Sequence, residues 1–148
     1  MMKAMNEMSV SFLSVSANES FARAVVAAFA SQLDPTIDQL ADLKTAVSEA
    51  VTNAIVHGYR ETLGTVYITA KLYETGKIVV RVRDKGVGIP DVEKAMEPLF
   101  TTGGEERAGL GFAVMQSFCD KVAVRSALGK GTTVTLHKSL LRRGREHE

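Results

Sequence analysis

A chain of 148 residues, 45% apolar and 24% charged, can bury about two-thirds of its unfolded surface, so a soluble domain of this size folds without disulfides or a structural metal. A net charge of +1 and a single cysteine, Cys119, exclude a global field that recruits nucleic acid and a disulfide framework; a reducing, cytoplasmic setting with Cys119 as a buried structural thiol fits them. No stretch approaches the ~20 apolar residues of a membrane span, and the N-terminus lacks the apolar run of a signal peptide.

The pattern predicts one domain over residues 1–148, with a core at about 8–137 and a short basic tail at 138–148 carrying Lys138, Arg142, Arg143 and Arg145. Met8 to Val15 alternates apolar residues with serines, as a half-buried strand does. Ser16 and Glu19 have capping-box spacing before a helix with Phe21, Val25, Phe29 and Leu33 as its apolar stripe, ended by Asp34-Pro35. Thr36 and Gln39 repeat the box ahead of a longer helix whose stripe is Leu40, Leu43, Val47, Ala50, Val51 and Ala54, with Gly58 after it. Two alternating strands follow, Val66–Tyr73 and Ile78–Arg83, turning near Thr75-Gly76. Pro90-Asp91 opens a short helix to about Glu97, residues 98–108 read as a loop, and a helix runs from about Gly109 to Asp120. A hairpin closes the chain: Val122–Ser126, a Gly129/Gly131 turn and Thr132–Leu136. The order β-α-α-β-β-α-loop-α-β-β predicts an α+β fold, with a mixed, mostly antiparallel sheet covered by helices on one face.

Three constellations carry chemistry. Glu49 and Asn53 are four apart on the second helix and share a face among small alanines. An amide oxygen suits Mg²⁺ and a neighbouring carboxylate can take a proton from a hydroxyl, although the same spacing fits a plain polar stripe. His57, one turn on, fits a helix-terminal histidine. In Asp84-Lys85-Gly86-Val87-Gly88-Ile89-Pro90, Asp84 shares parity with Ile78, Val80 and Val82, so it points to the apolar face. An acid there is costly unless it is hydrogen-bonded, and it can accept from an exocyclic amine such as adenine N6; Gly86 and Gly88 admit close backbone approach to a flat ring, or simply make a tight turn. The third runs Thr101-Thr102-Gly103-Gly104-Glu105-Glu106-Arg107-Ala108-Gly109-Leu110-Gly111 into a helix start, where free N–H groups and the Arg107 fork suit phosphate and where a plain surface loop would look the same. Gly129-Lys130-Gly131-Thr132-Thr133 imitates the end of a phosphate loop, but it joins two strands.

The order Glu-x-x-x-Asn, Asp-x-Gly-x-Gly, then a lid and Gly-x-Gly resembles the ATPase superfamily of gyrase, heat-shock chaperones, histidine kinases and mismatch-repair proteins. The stretch Ser48–Tyr59 and the run Pro98-Leu99-Phe100-Thr101-Thr102 resemble the small stand-alone serine kinases that act as anti-sigma factors. The resemblance covers about Ser16 to Leu136. It implies a two-layer α/β sandwich of Bergerat type and ATP with Mg²⁺ as cofactors. In site residues it implies Asn53 on Mg²⁺, Glu49 as general base, Asp84 on adenine, and Gly86, Gly88, Thr101, Thr102, Gly109 and Gly111 around the nucleotide. It further implies Arg107 on the γ-phosphate and Arg23 as a partner contact. The expected partners are a sigma factor, an anti-anti-sigma protein as phosphorylation substrate and a second copy in a homodimer, with no nucleic acid and no membrane. Sporulation and stress-response sigma factors both remain open. A two-component histidine kinase module is the alternative, but it expects an acceptor histidine upstream, and the first histidine is His57.

Overall fold

A computed structural model describes residues 3–96 and 103–140, with residues 103–110 described as backbone only. Strand β1 (Ala4–Leu13) leads to helix α1 (Ala17–Ala30), a 3₁₀ turn (Ser31–Leu33) and helix α2 (Ile37–Thr52), which continues as a π-helix over Asn53–Gly58. Strands β2 (Thr65–Tyr73) and β3 (Lys77–Asp84), helices α3 (Val92–Met96) and α4 (Gly103–Phe118), and strands β4 (Lys121–Ala127) and β5 (Gly131–Ser139) complete it.

The strands form one sheet in the order β1-β2-β3-β5-β4. The expectation of a mixed sheet resolves to antiparallel pairing in all four ladders. Alternation explains why this register holds: Val66, Ile68, Ala70 and Leu72 of β2 and Ile78, Val80 and Val82 of β3 are all buried on one face. A slip by one residue would turn every one of them to solvent. Against that face pack Ala22, Val26, Phe29 and Ala30 of α1, Leu43, Ala46, Val47, Ala50 and Val51 of α2, and Phe112 and Met115 of α4. Each fully buried Val, Leu or Ile contributes roughly 1.5–3 kcal/mol.

Helix α2 starts as its sequence says. Thr36 accepts from Gln39 N–H at 3.2 Å and the Gln39 side chain accepts from Thr36 N–H at 3.4 Å. Helix α1 corrects its expected start and stripe. Ser16 is already helical (φ −59°, ψ −29°) and makes no side-chain cap. Glu19 instead accepts from Ser48 Oγ and pairs with Arg23 at 3.6 Å. The buried face of α1 is Ala22, Val26, Phe29 and Ala30; Phe21 is 46% exposed, set edge-on to Phe12 with ring centroids 6.0 Å apart. Strand β1 begins and ends earlier than the alternation from Met8 suggested, because Asn6 and Glu7 pair with Leu72 and Lys71. Residues 103–108, expected as loop, are helical, so α4 begins at Gly103. Glu105, Glu106, Arg107 and Ala108 are good helix formers without a breaker, and acids suit a helix start. Cys119 is half-buried, and burial pushes its thiol up to about 11, which keeps it protonated and inert.

Candidate functional site

Asp84 ends β3 on the buried face, as its parity requires, and is 5% exposed. Its Oδ1 accepts from Gly86 N–H at 2.9 Å. Burial raises its pKa above 3.8, and the N–H groups of Gly86 and Thr132 partly offset that by favouring the carboxylate. Thr132 stands opposite Asp84 in the β3–β5 ladder.

The carboxyl opens onto a cavity of about 350 Å³ walled by Asn53, His57 and Gly58 on the π-helix, by Gly88, Ile89 and Pro90 on the loop after β3, and by Phe112 of α4 and Thr132 of β5. Its size falls at the lower end of small-molecule sites. Close backbone contact shapes it. A Cβ on Gly86 would lie 2.0 Å from Gly58 O, and one on Gly58 would lie 2.7 Å from Asp84 Cγ. Gly88 adopts φ +81°, a conformation that L side chains rarely take.

Glu49 and Asn53 sit beside each other where α2 passes into the π-helix. A Cβ on Gly111 would lie 3.3 Å from Asn53 Nδ2, Asn53 Oδ1 and Glu49 Oε2, so α4 runs directly over the pair. Asn53 walls the cavity, whereas Glu49 borders it from one turn away. Asn53 Nδ2 is buried and has no hydrogen-bond partner among the described residues. A buried unpaired amide N–H costs roughly 1–3 kcal/mol, so this nitrogen calls for an acceptor atom outside the described residues. Burial, with the Glu19 carboxylate second, pushes the Glu49 pKa above 4.5. The π-helix widens the turn at this point, and such segments recur at functional sites.

Asn53, Asp84, Gly88 and Gly111 thus converge, with Gly86 and Glu49 at the margins. Arg23 lies elsewhere, on α1, with its side chain 41% exposed. Arg107 and Gly109 are backbone positions in α4 whose side-chain surroundings lie outside the described residues, and Thr101 and Thr102 lie outside them altogether. Sequence reasoning missed two contributors. Tyr59 donates from its hydroxyl to Thr65 O at 2.6 Å and accepts from Lys85 N–H at 2.7 Å, fixing the loop root. The Gly129 hairpin, read as a plain turn, braces the loop after β3: Gly129 N–H donates to Val87 O at 2.8 Å, and Ser126 Oγ accepts from Ile89 N–H at 2.7 Å. Pairing β5 beside β3 would have revealed both the brace and Thr132.

A family model described as a histidine kinase-like ATPase domain matches residues 15–138. The chain is 61% identical over 135 residues to an anti-sigma F factor of Thermoanaerobacter sp. (strain X514), covering 90% of this chain and 93% of that protein. The chain belongs to the anti-sigma F factor family, within the histidine kinase-like ATPases. An anti-sigma F factor of Geobacillus stearothermophilus is 54% identical over 135 residues, covering 90% of this chain and 92% of the relative. The fold recurs in the RsbU and RsbW domains of a Mycobacterium tuberculosis protein, at a TM-score of 0.68 and 20% identity over 93% of this chain and 33% of that one. It recurs in a histidine kinase domain from Erythrobacter litoralis at 0.56 and 18%, over 87% of this chain and 63% of the other. As an ATPase-family domain the chain has an ATP site, and among the described residues no helix is long and apolar enough to cross a membrane.

Proposed function

We propose that this chain is a cytoplasmic anti-sigma factor that also acts as an ATP-dependent protein-serine kinase on an anti-anti-sigma protein, working as a homodimer on a sporulation sigma factor. One observation carries the kinase half: Glu49 and Asn53 lie together under Gly111 at the edge of the Asp84 cavity, with the Asn53 amide nitrogen lacking a hydrogen-bond partner among the described residues. The sigma half rests on the name and high identity of the relatives.

In this reading Asp84 accepts from adenine N6, and the backbone of Gly86, Gly88, Gly109 and Gly111, with Thr101 and Thr102, surrounds the nucleotide. The donor set fits magnesium carried by the nucleotide. Asn53 supplies one hard oxygen, and among the described residues no cluster of three or more His, Cys, Asp or Glu forms a protein-only cage. Bound there, Mg²⁺ neutralises phosphate charge. Arg107 holds the γ-phosphate. Glu49 takes the proton as the substrate serine oxygen bonds to the γ-phosphorus and the bond to the departing ADP oxygen breaks, and its raised pKa makes it a stronger base than an ordinary carboxylate. Arg23 meets the protein partners.

Incubation with labelled ATP and candidate anti-anti-sigma proteins tests the reading. It predicts an acid-stable phosphoserine on one of them. An acid-labile phosphohistidine, or no transfer to any candidate, contradicts it and favours the histidine kinase alternative.

A further inference from the structure

Asp84, Thr132 and Ser126 stand in one row across three neighbouring strands, because Thr132 of β5 pairs with Asp84 of β3 on one side and with Ser126 of β4 on the other. Asp84 and Thr132 are buried and wall the cavity, whereas Ser126 is half-buried and stands behind Thr132. Ser126 Oγ has three polar neighbours. It accepts from Ile89 N–H at 2.7 Å, lies 3.1 Å from Gly131 O and lies 2.8 Å from Thr132 Oγ1. A serine hydroxyl carries one hydrogen and two lone pairs. Its hydrogen can go to Gly131 O or to Thr132 Oγ1, but not to both. Given to Gly131 O, it leaves the two lone pairs for Ile89 N–H and the Thr132 hydroxyl, and all three contacts become hydrogen bonds. Given to Thr132, it forgoes the bond to Gly131 O. The first arrangement satisfies more of these part-buried groups and is therefore the favoured one. It commits the Thr132 hydrogen to Ser126 and turns the Thr132 lone pairs toward the cavity.

We infer that Ser126 is a positioning residue for base specificity: by taking the Thr132 hydrogen it fixes Thr132 as an acceptor beside the Asp84 carboxylate, so that this wall of the cavity selects a purine with an exocyclic amine over one with a carbonyl there. The inference rests on the proposed placing of Asp84 against adenine N6 and deepens it. Two acceptors side by side suit a donating amine. A carbonyl oxygen in the same place sets acceptor against acceptor in a buried site, with no hydrogen between them. Without Ser126 the Thr132 hydroxyl is free to turn its hydrogen into the cavity, where it can serve the carbonyl. The contact between Ser126 and Ile89 also braces the loop after β3, but a brace supports every nucleotide alike. Discrimination between bases therefore separates the two roles.

The test measures the affinities of ATP and of inosine triphosphate, its 6-oxo analogue, for the full chain by displacement of a fluorescent nucleotide. The parent should prefer ATP. Ser126→Ala should lower the ratio of the two affinities by about tenfold, the usual contribution of one hydrogen bond. Thr132→Val removes the acceptor without touching the Ile89 contact and should lower the ratio by itself. Adding Ser126→Ala to Thr132→Val should then lower it no further, because Ser126 acts through the Thr132 hydroxyl. An unchanged ratio in either single variant, or a further drop in the double variant, would overturn the inference while leaving Asp84 on adenine. A parent that binds the two nucleotides equally would overturn the placing of Asp84 against N6 and the inference with it.

Discussion

Asp84 is subject to two opposed demands at one carboxyl. Burial penalises its charge, whereas the proposed contact with an exocyclic amine favours the carboxylate, the stronger acceptor. Its folded pKa lies above 3.8. The unfolded chain therefore ionises first, and this group withdraws stability from the unliganded protein as pH rises from 3.8 through the raised value. Nucleotide binding has the opposite sign, since affinity should fall as pH drops through that same raised value. Titrations of fluorescent nucleotide across the acidic range should show this loss in the parent. Asp84→Asn should lose most affinity at every pH, because its amide places a donor toward the base amine, while its thermal midpoint stays near the parent's. Unchanged affinity in Asp84→Asn would remove Asp84 from the adenine contact. The aspartate's position was legible from strand parity alone, because the period of two leaves no freedom in which face the side chain takes. The roles of Tyr59 and Thr132 were not legible, because each depends on a partner distant in sequence.

At the scale of elements, the site is held by loops that touch backbone to backbone. Gly86 approaches Gly58 O so closely that a Cβ would sit at 2.0 Å, and neither partner is a flexible side-chain end. Gly86→Ala should therefore destabilise by about 1–3 kcal/mol and weaken nucleotide binding, as read by urea unfolding and by titration. Loss of nucleotide without loss of stability would mean that the loop simply moves aside. Tyr59→Phe removes the link between Thr65 O and Lys85 N–H and leaves two poorly paired backbone groups. Urea unfolding should show a loss of about 1–3 kcal/mol, and a neutral result would mean that water replaces the hydroxyl. Start signals read well where the motif is self-contained, as at Thr36 and Gln39, whose two hydrogen bonds are local. They misled at Ser16 and Glu19 because Ser48, far along the chain, competes for the Glu19 carboxylate. The apolar stripe of α1 was misplaced for a similar reason. Small Ala22 and Ala30 take the tight contacts with α2 and the sheet, and large Phe21 is left at the edge beside Phe12.

At the scale of the whole molecule, alternation and turn residues made the two-layer arrangement legible. Turns marked by Gly76, Gly129 and Gly131 adopt the positive φ that their residues favour. The insertion of β5 between β3 and β4 was not legible, since hairpin order alone does not say which strand of the last hairpin pairs inward. That insertion places Thr132 against Asp84 and the Gly129 hairpin against the nucleotide loop, so topology assembles the cavity. The cavity and the open face lie on opposite sides of the sheet, and Arg23 on α1 is joined through Glu19 to Ser48, next to Glu49. In the proposed reading sigma capture and phosphoryl transfer would depend on different groups, and Glu49 would be where they part. Glu49→Gln is nearly isosteric and should leave ATP binding and sigma-factor binding intact. Phosphorylation of the anti-anti-sigma protein should fall by roughly 10²–10⁴, the usual contribution of a positioned base. The decisive measurement is the single-turnover rate of that phosphorylation for Glu49→Gln at saturating ATP, alongside its ATP and sigma-factor affinities. A rate lowered by that factor with both affinities unchanged is the predicted result; a normal rate, or a rate lost together with ATP binding, would contradict Glu49 as the base.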